Sequence, residues 1–171
     1  MATVPDVVHR LLRDLTLNGV LAWAQTPARV RGWGLRHCGL DVSDAAIGSR
    51  VFFGDTDISI GPGSTIGAEC FLDNTGPITI GAGCTIGARC VFVTSSHEPG
   101  TGSRPSGRTV GRPIVVGSGA RLGANVTVLP GVTIGEGCVI ADDAVVSRDC
   151  APHGRYAGSP ARRVDEPAVL A

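Results

Sequence analysis

A six-residue period governs this chain. Val116, Leu122, Val128, Ile134, Ile140 and Val146 follow one another at intervals of six without a break. The same interval links Ile80, Ile86 and Phe92, then Ile60, Ile66 and Leu72, then Ile47 and Phe53, with one extra residue before Ile60 and two before Ile80. Four residues after these positions stands a small or short one: Ser64, Cys70, Cys84, Cys90, Ala120, Val126, Val132, Cys138, Ala144 and Cys150. Gly often follows the large residue directly, as in Ile60-Gly61, Ile86-Gly87 and Ile134-Gly135. Neither the 3.6-residue period of a helix nor the two-residue period of a half-buried strand yields this pattern. A short strand followed by a corner does: the large side chain points inward, Gly lets the backbone turn, and the small residue packs near the next corner. Three such faces close a triangular coil, and successive coils stack about 4.8 Å apart, as paired strands do. The 14 hexads give between four and five coils of a parallel β-helix.

Composition agrees with a narrow core. Apolar residues make up 43% of the 171 residues but aromatics only 4%, so Val, Ile, Ala and 25 Gly must do the packing. Five of the six cysteines occupy the small inward position, where Cys serves as a small hydrophobe. No Cys-x-x-Cys pair signals zinc. Cys70 and Cys90 fall on adjacent coils, close enough in principle for a disulfide, although reduced core thiols are the expected state in a cytoplasm. Fifteen basic and 15 acidic residues cancel, which argues against a nucleic-acid partner. The apolar stretches are too short for a membrane span. The N-terminal stretch carries Asp6 and lacks a signal-peptide pattern, so a cytoplasmic location is expected.

Residues 1–45 lack the hexads and read as a helical cap, since an open solenoid end needs covering; an acceptor-binding arm is the other reading. Thr3 and Asp6 form a capping pair, Val7, Val8, Leu11, Leu12 and Leu15 share a helical face, and Asn18-Gly19 is the expected stop. Thr26-Pro27 starts a second helix and Cys38-Gly39 ends it. Residues 46–150 are the β-helix. Residues 151–171 leave the period and are expected to fold back along its outside.

One long interruption remains, at 94–113. Continuing the count of six from Phe92 would place Glu98 and Arg104 inside a narrow apolar core, at prohibitive cost. The segment must therefore leave the coil as a loop, and long ordered loops often carry function. His97 stands where it departs, whereas His9, His37 and His153 lie in the cap or the tail. Asp73-Asn74-Thr75-Gly76 falls one coil away on the same side. An imidazole with acidic or amide groups nearby suits general acid–base work at neutral pH.

Several segments resemble the hexapeptide-repeat acyltransferases, in particular the branch of maltose, galactoside and nodulation-factor O-acetyltransferases. They are Cys70-Phe71-Leu72-Asp73 with Pro77-Ile78-Thr79-Ile80-Gly81, then Thr94-Ser95-Ser96-His97-Glu98, then Val128-Leu129-Pro130-Gly131-Val132-Thr133-Ile134-Gly135, and finally Tyr156-Ala157-Gly158-Ser159-Pro160-Ala161-Arg162. The resemblance covers Ile47 to Val164 and implies a left-handed winding, which the period alone does not give. It also implies a homotrimer with sites between subunits, and acetyl-CoA as co-substrate with no metal. By position, His97 would be the general base and the backbone N–H of Ala124 the oxyanion donor, with Ala124 also lying against the acyl donor. Ser147, Arg148 and Arg162 would meet coenzyme A. Two positions depart from the branch: an Asn expected before the Phe-Leu-Asp segment is Gly67, and a Trp is Arg121. Asp73 and Asn74 are candidates to contact the acceptor in place of that Asn.

The expected activity is O-acetylation of a sugar or similar small acceptor. The alternatives are N-acetylation of an amino sugar and a non-catalytic trimeric scaffold. A β-helical carbonic anhydrase needs three zinc-binding histidines, and the repeat region holds only His97.

Overall fold

The computed structural model describes residues 11–164. The expectations at Thr3, Asp6, Val7, Val8 and His9 lie outside that range. The chain winds as a parallel β-helix with three sheets as its faces. The first face stacks Asp41–Val42, Ile58–Ile60, Ile78–Ile80, Ile114–Val116 and Thr133–Ile134. The second stacks Ala46–Ile47, Thr65–Ile66, Thr85–Ile86, Arg121–Leu122, Val139–Ile140 and Arg155–Ala157, and the third Phe52–Phe53, Phe71–Leu72, Val91–Phe92, Thr127–Val128 and Val145–Val146. Five full coils and the start of a sixth result, more than the hexad count alone gives. The first coil begins at Asp41–Val42, ahead of the first recognised hexad, and Arg155–Ala157 pairs in parallel with Val139–Ile140 after the last. The end of the described chain does not run back along the outside: Arg162–Arg163 turns antiparallel onto Arg155–Ala157 and extends the second face.

Register follows the period. Ile66 pairs with Ile86, Ile86 with Leu122, and Leu122 with Ile140. All 14 large hexad residues are buried, none more than 4% exposed. The small positions are equally buried, and all six cysteines are free thiols.

The corners work differently from the sequence reading. Where Gly follows the large residue, it serves the close stacking of coils. A Cβ on Gly87 would lie 2.4 Å from the carbonyl carbon of Gly123. The left-handed turn comes two residues later. At the edge between second and third faces it is taken by Arg50, Glu69, Arg89, Asn125 and Asp143, with φ between 56° and 64°. Non-glycine residues are held there by a ladder of side chains: Arg50 pairs with Glu69, Arg89 Nε donates to Asn125 at 2.8 Å, and Asn125 Nδ2 donates to Asp143 at 2.9 Å.

The N-terminal cap covers the first coil. Residues 11–14 are helical and run into a π-helical turn, Leu15–Val20, so the helix does not stop at Asn18-Gly19. Asn18 instead closes the open strand edge of the third face: its Nδ2 donates to Phe53 O at 3.0 Å, and its Oδ1 accepts from Phe53 N at 2.9 Å. The apolar face expected at Leu11, Leu12 and Leu15 is not buried in this chain; Leu17 and Leu21 are. The second helix, Ala28–His37, starts after Pro27 and ends at Cys38-Gly39 as expected, with Gly39 at φ 91°. Its buried Arg31 donates to the carbonyls of Leu21, Trp23, Thr26 and Ile47, tying cap to coil. Among the described residues no helix is long and apolar enough to cross a membrane.

Candidate active site

The interruption is an ordered β-hairpin. Ser95–Thr101 pairs antiparallel with Arg104–Gly111 across the two-residue connection Gly102-Ser103. Composition did not signal these strands, since Pro99, Gly100, Pro105 and Gly107 punctuate both runs as they would a loop. It springs from the edge between third and first faces. Thr94, fully buried, accepts from Gly76 N through Oγ1 at 3.0 Å and from Arg112 N through its carbonyl at 2.8 Å. The return strand presses on the same corner: a Cβ on Gly111 would lie 2.3 Å from Thr75 O. The corner at 73–76 therefore clamps both ends of the hairpin.

His97 is exposed, three residues beyond Thr94, and pairs with Thr109. Its Nδ1 lies 3.5 Å from Thr109 Oγ1, a weak contact. If Nδ1 carries the proton and faces that hydroxyl, Nε2 keeps a free lone pair. A break in register between His97 and Pro99 sits next to it.

Asp73 and Asn74 lie at the hairpin root, as their spacing implied, yet their side chains turn to the protein. Asp73 Oδ2 accepts from Ser95 N at 2.8 Å and Oδ1 from Thr75 Oγ1 at 2.9 Å. Partial burial opposes the charge on Asp73, but hydrogen bonds from Ser95 and Thr75 outweigh it and hold the carboxyl below its ordinary value. Asn74 is 4% exposed; its Nδ2 donates to Asp57 O at 3.3 Å, and its buried Oδ1 has no partner among the described residues.

The other expected residues lie elsewhere on the solenoid. Ala124 sits at the edge between second and third faces, and its N–H donates to Asp142 Oδ1 at 2.6 Å. The donor expected to face an oxyanion is thus occupied. Asp142 stands 18 residues on, one coil further, a spacing that could have revealed it. Ser147 and Arg148 follow the last strand of the third face and are exposed, as is Arg162 on the outermost strand of the second. None of the three forms an ion pair among the described residues. Ala124 and the hairpin root flank opposite sides of the third face, so one subunit alone does not bring Ala124 and His97 onto one edge. No three His, Cys, Asp or Glu side chains gather in a metal-binding group among the described residues.

Comparison with known proteins bears on this arrangement. Residues 113–148 match the bacterial transferase hexapeptide family (six repeats), and residues 77–96 match the hexapeptide repeat of succinyl-transferase. A Staphylococcus aureus (strain COL) protein with a provisional acetyltransferase name is 44% identical over 114 residues, 64% of this chain and 57% of its own length. Nodulation protein L of Rhizobium meliloti (strain 1021) is 36% identical over 106 residues, 62% of this chain and 58% of that one. The chain therefore spans little more than half of these relatives. A crystal structure of a hexapeptide-repeat-containing acetyltransferase from Vibrio cholerae superposes with a TM-score of 0.82 at 28% identity, covering 96% of this chain and 94% of that one. The same protein has been crystallised with acetyl-CoA, with a TM-score of 0.79 to this chain at 27% identity, covering 96% of this chain and 90% of that one. Hexad register, interrupted coil and these likenesses agree: the chain carries the hexapeptide repeats of bacterial transferases and resembles the hexapeptide-repeat acetyltransferases in sequence and fold.

Proposed function

We propose that the chain transfers an acetyl group from acetyl-CoA to a hydroxyl of a sugar or similar small acceptor, with His97 as general base. The observation that carries this reading is the hairpin that holds an exposed imidazole at the one large interruption of the solenoid, clamped by the 73–76 corner. The complex of the similar Vibrio cholerae protein with acetyl-CoA supports the choice of donor.

This chain's residues fit such a donor: exposed Arg148 and Arg162, without carboxylate partners among the described residues, are free to meet phosphate, and Ser147 adds a hydroxyl. Acetyl-CoA would supply the acyl group already activated as a thioester. A sugar hydroxyl is a weak nucleophile until it loses its proton during attack. His97 removes that proton as the oxygen bonds to the acyl carbon, and returns it to the departing sulfur. The Ala124 N–H would stabilise the oxyanion once the exposed Asp142 carboxylate swings away from it. Because Ala124 and the hairpin root flank opposite sides of the third face, the complete site needs the hairpin of one subunit against the Ala124 edge of another, and a homotrimer provides this.

A non-catalytic trimeric scaffold is the second reading, favoured by the occupied Ala124 N–H. Release of free thiol from acetyl-CoA, followed with a panel of hydroxylated sugars and their amino counterparts, tests both. Thiol release with hydroxylated sugars is expected. Release with amino sugars alone would move the reaction to N-acetylation, and no release without binding of acetyl-CoA would leave the scaffold.

A further inference from the structure

We propose that Asp73 is a positioning residue, setting where His97 stands by anchoring the first residue of the hairpin across the boundary between two coils. The inference rests on His97 being the base and assigns Asp73 a role other than acceptor binding.

The geometry carries it. Asp73 belongs to the second coil; Ser95, whose N–H it accepts at 2.8 Å, opens the hairpin on the third. Backbone pairing also joins these coils here, with Asp73 N donating to Phe92 O at 3.0 Å. Past Thr94 the chain leaves the coil, and the solenoid ladder no longer fixes its direction. Among the described residues the Asp73–Ser95 bond is then the one hydrogen bond to the outgoing strand's backbone from outside the hairpin, two residues before His97. The carboxylate is itself oriented, since Thr75 Oγ1 donates to its other oxygen at 2.9 Å. A charged acceptor on a backbone N–H gives a stronger bond than a neutral one. A side chain so engaged suits holding an angle better than receiving a sugar. General-base catalysis falls steeply when the base is displaced by about 1 Å, so loosening the root should reach the chemistry through His97.

The test compares Asp73→Ala, Asp73→Asn, His97→Ala and the double variant Asp73→Ala/His97→Ala in the full chain, with acetyl-CoA and the acceptor that gives the fastest thiol release. Turnover, acceptor KM, acetyl-CoA affinity and melting temperature are measured for each. In Asp73→Ala, kcat should fall about 10- to 100-fold while acceptor KM stays within about threefold. Asp73→Asn keeps an oxygen for the Ser95 N–H and should recover most of that loss. Asp73→Ala should cost nothing further in the His97→Ala background, because coupled residues are not additive. A rise of acceptor KM of more than about tenfold at unchanged kcat would overturn the proposal by placing Asp73 on the acceptor. So would an undiminished loss in the double variant, or a folded Asp73→Asn as inactive as Asp73→Ala. If Asp73→Ala does not fold, Asp73→Asn alone decides: kcat within about tenfold of wild type supports positioning, and a larger loss refutes it. Normal turnover in His97→Ala would instead refute the reading of His97, whereas an inactive His97→Ala beside a fully active Asp73→Ala refutes only this inference.

Discussion

Asp142 holds the N–H of Ala124 at 2.6 Å and so competes with any oxyanion formed there. Its carboxylate is exposed and places negative charge where negative charge would develop. Asp142→Ala should therefore raise kcat by several-fold, as read by thiol release; a tenfold fall would show that Asp142 takes part in the reaction. Gly67 has a structural cause. A Cβ there would lie 2.5 Å from Ala88 N, on the next coil. Gly67→Asn should thus destabilise the fold by about 1–3 kcal/mol, the usual cost of overpacking, seen as a lower denaturation midpoint. Asp73 adds a pH signature. Its carboxyl lies below the ordinary value, so its stabilisation is present above about pH 3.9 and is lost as pH falls through the lowered value. The melting-temperature gap between wild type and Asp73→Asn should shrink from pH 6 to pH 3. At this scale the six-residue count located His97 and Asp73 but could not show what each touches, because that depends on how Ser95 leaves the coil.

Among elements, the faces were the most legible. Large and small residues at fixed spacing specify which side chain points inward, and burial at Ile60, Leu122 and Cys138 follows directly. The cysteine assignment yields a prediction. Burial first, then the neighbouring Cys138 and Asp149, pushes the Cys150 thiol up to about 12. Cys70, Cys84, Cys90 and Cys138 are buried too, while Cys38 is partly exposed. Thiol titration of the native protein should show one fast-reacting group, with the remainder appearing on denaturation; several fast thiols would contradict the core assignment. The cap was less legible. Its spacing placed Leu11, Leu12 and Leu15 on one helical face, which is exposed, whereas the contact with the coil is made by Asn18, turned by the π-helical turn onto the Phe53 edge. Nor did the helical pattern single out Arg31. With its guanidinium gone, the carbonyls of Leu21, Trp23, Thr26 and Ile47 would lose their donor, so Arg31→Ala should cost about 3 kcal/mol in unfolding free energy.

For the molecule as a whole, a strict period makes architecture readable from sequence, because every coil repeats one solution to the same packing problem. Assembly is less readable, since it depends on outward residues that the period leaves unconstrained. Those residues differ by face: Phe52 and Phe71 stack on the third, with ring centroids 4.8 Å apart, while Arg121 and Arg155 project from the second. Light scattering should give a trimer, and a monomer of 17.4 kDa at all concentrations would remove the two-subunit site. The account stands most directly on His97→Ala, assayed for turnover with acetyl-CoA binding and melting temperature as controls. Turnover should fall by roughly 10²–10⁴-fold, the usual size of general-base catalysis, with binding and melting nearly unchanged. Near-normal turnover in a well-folded His97→Ala protein would contradict it.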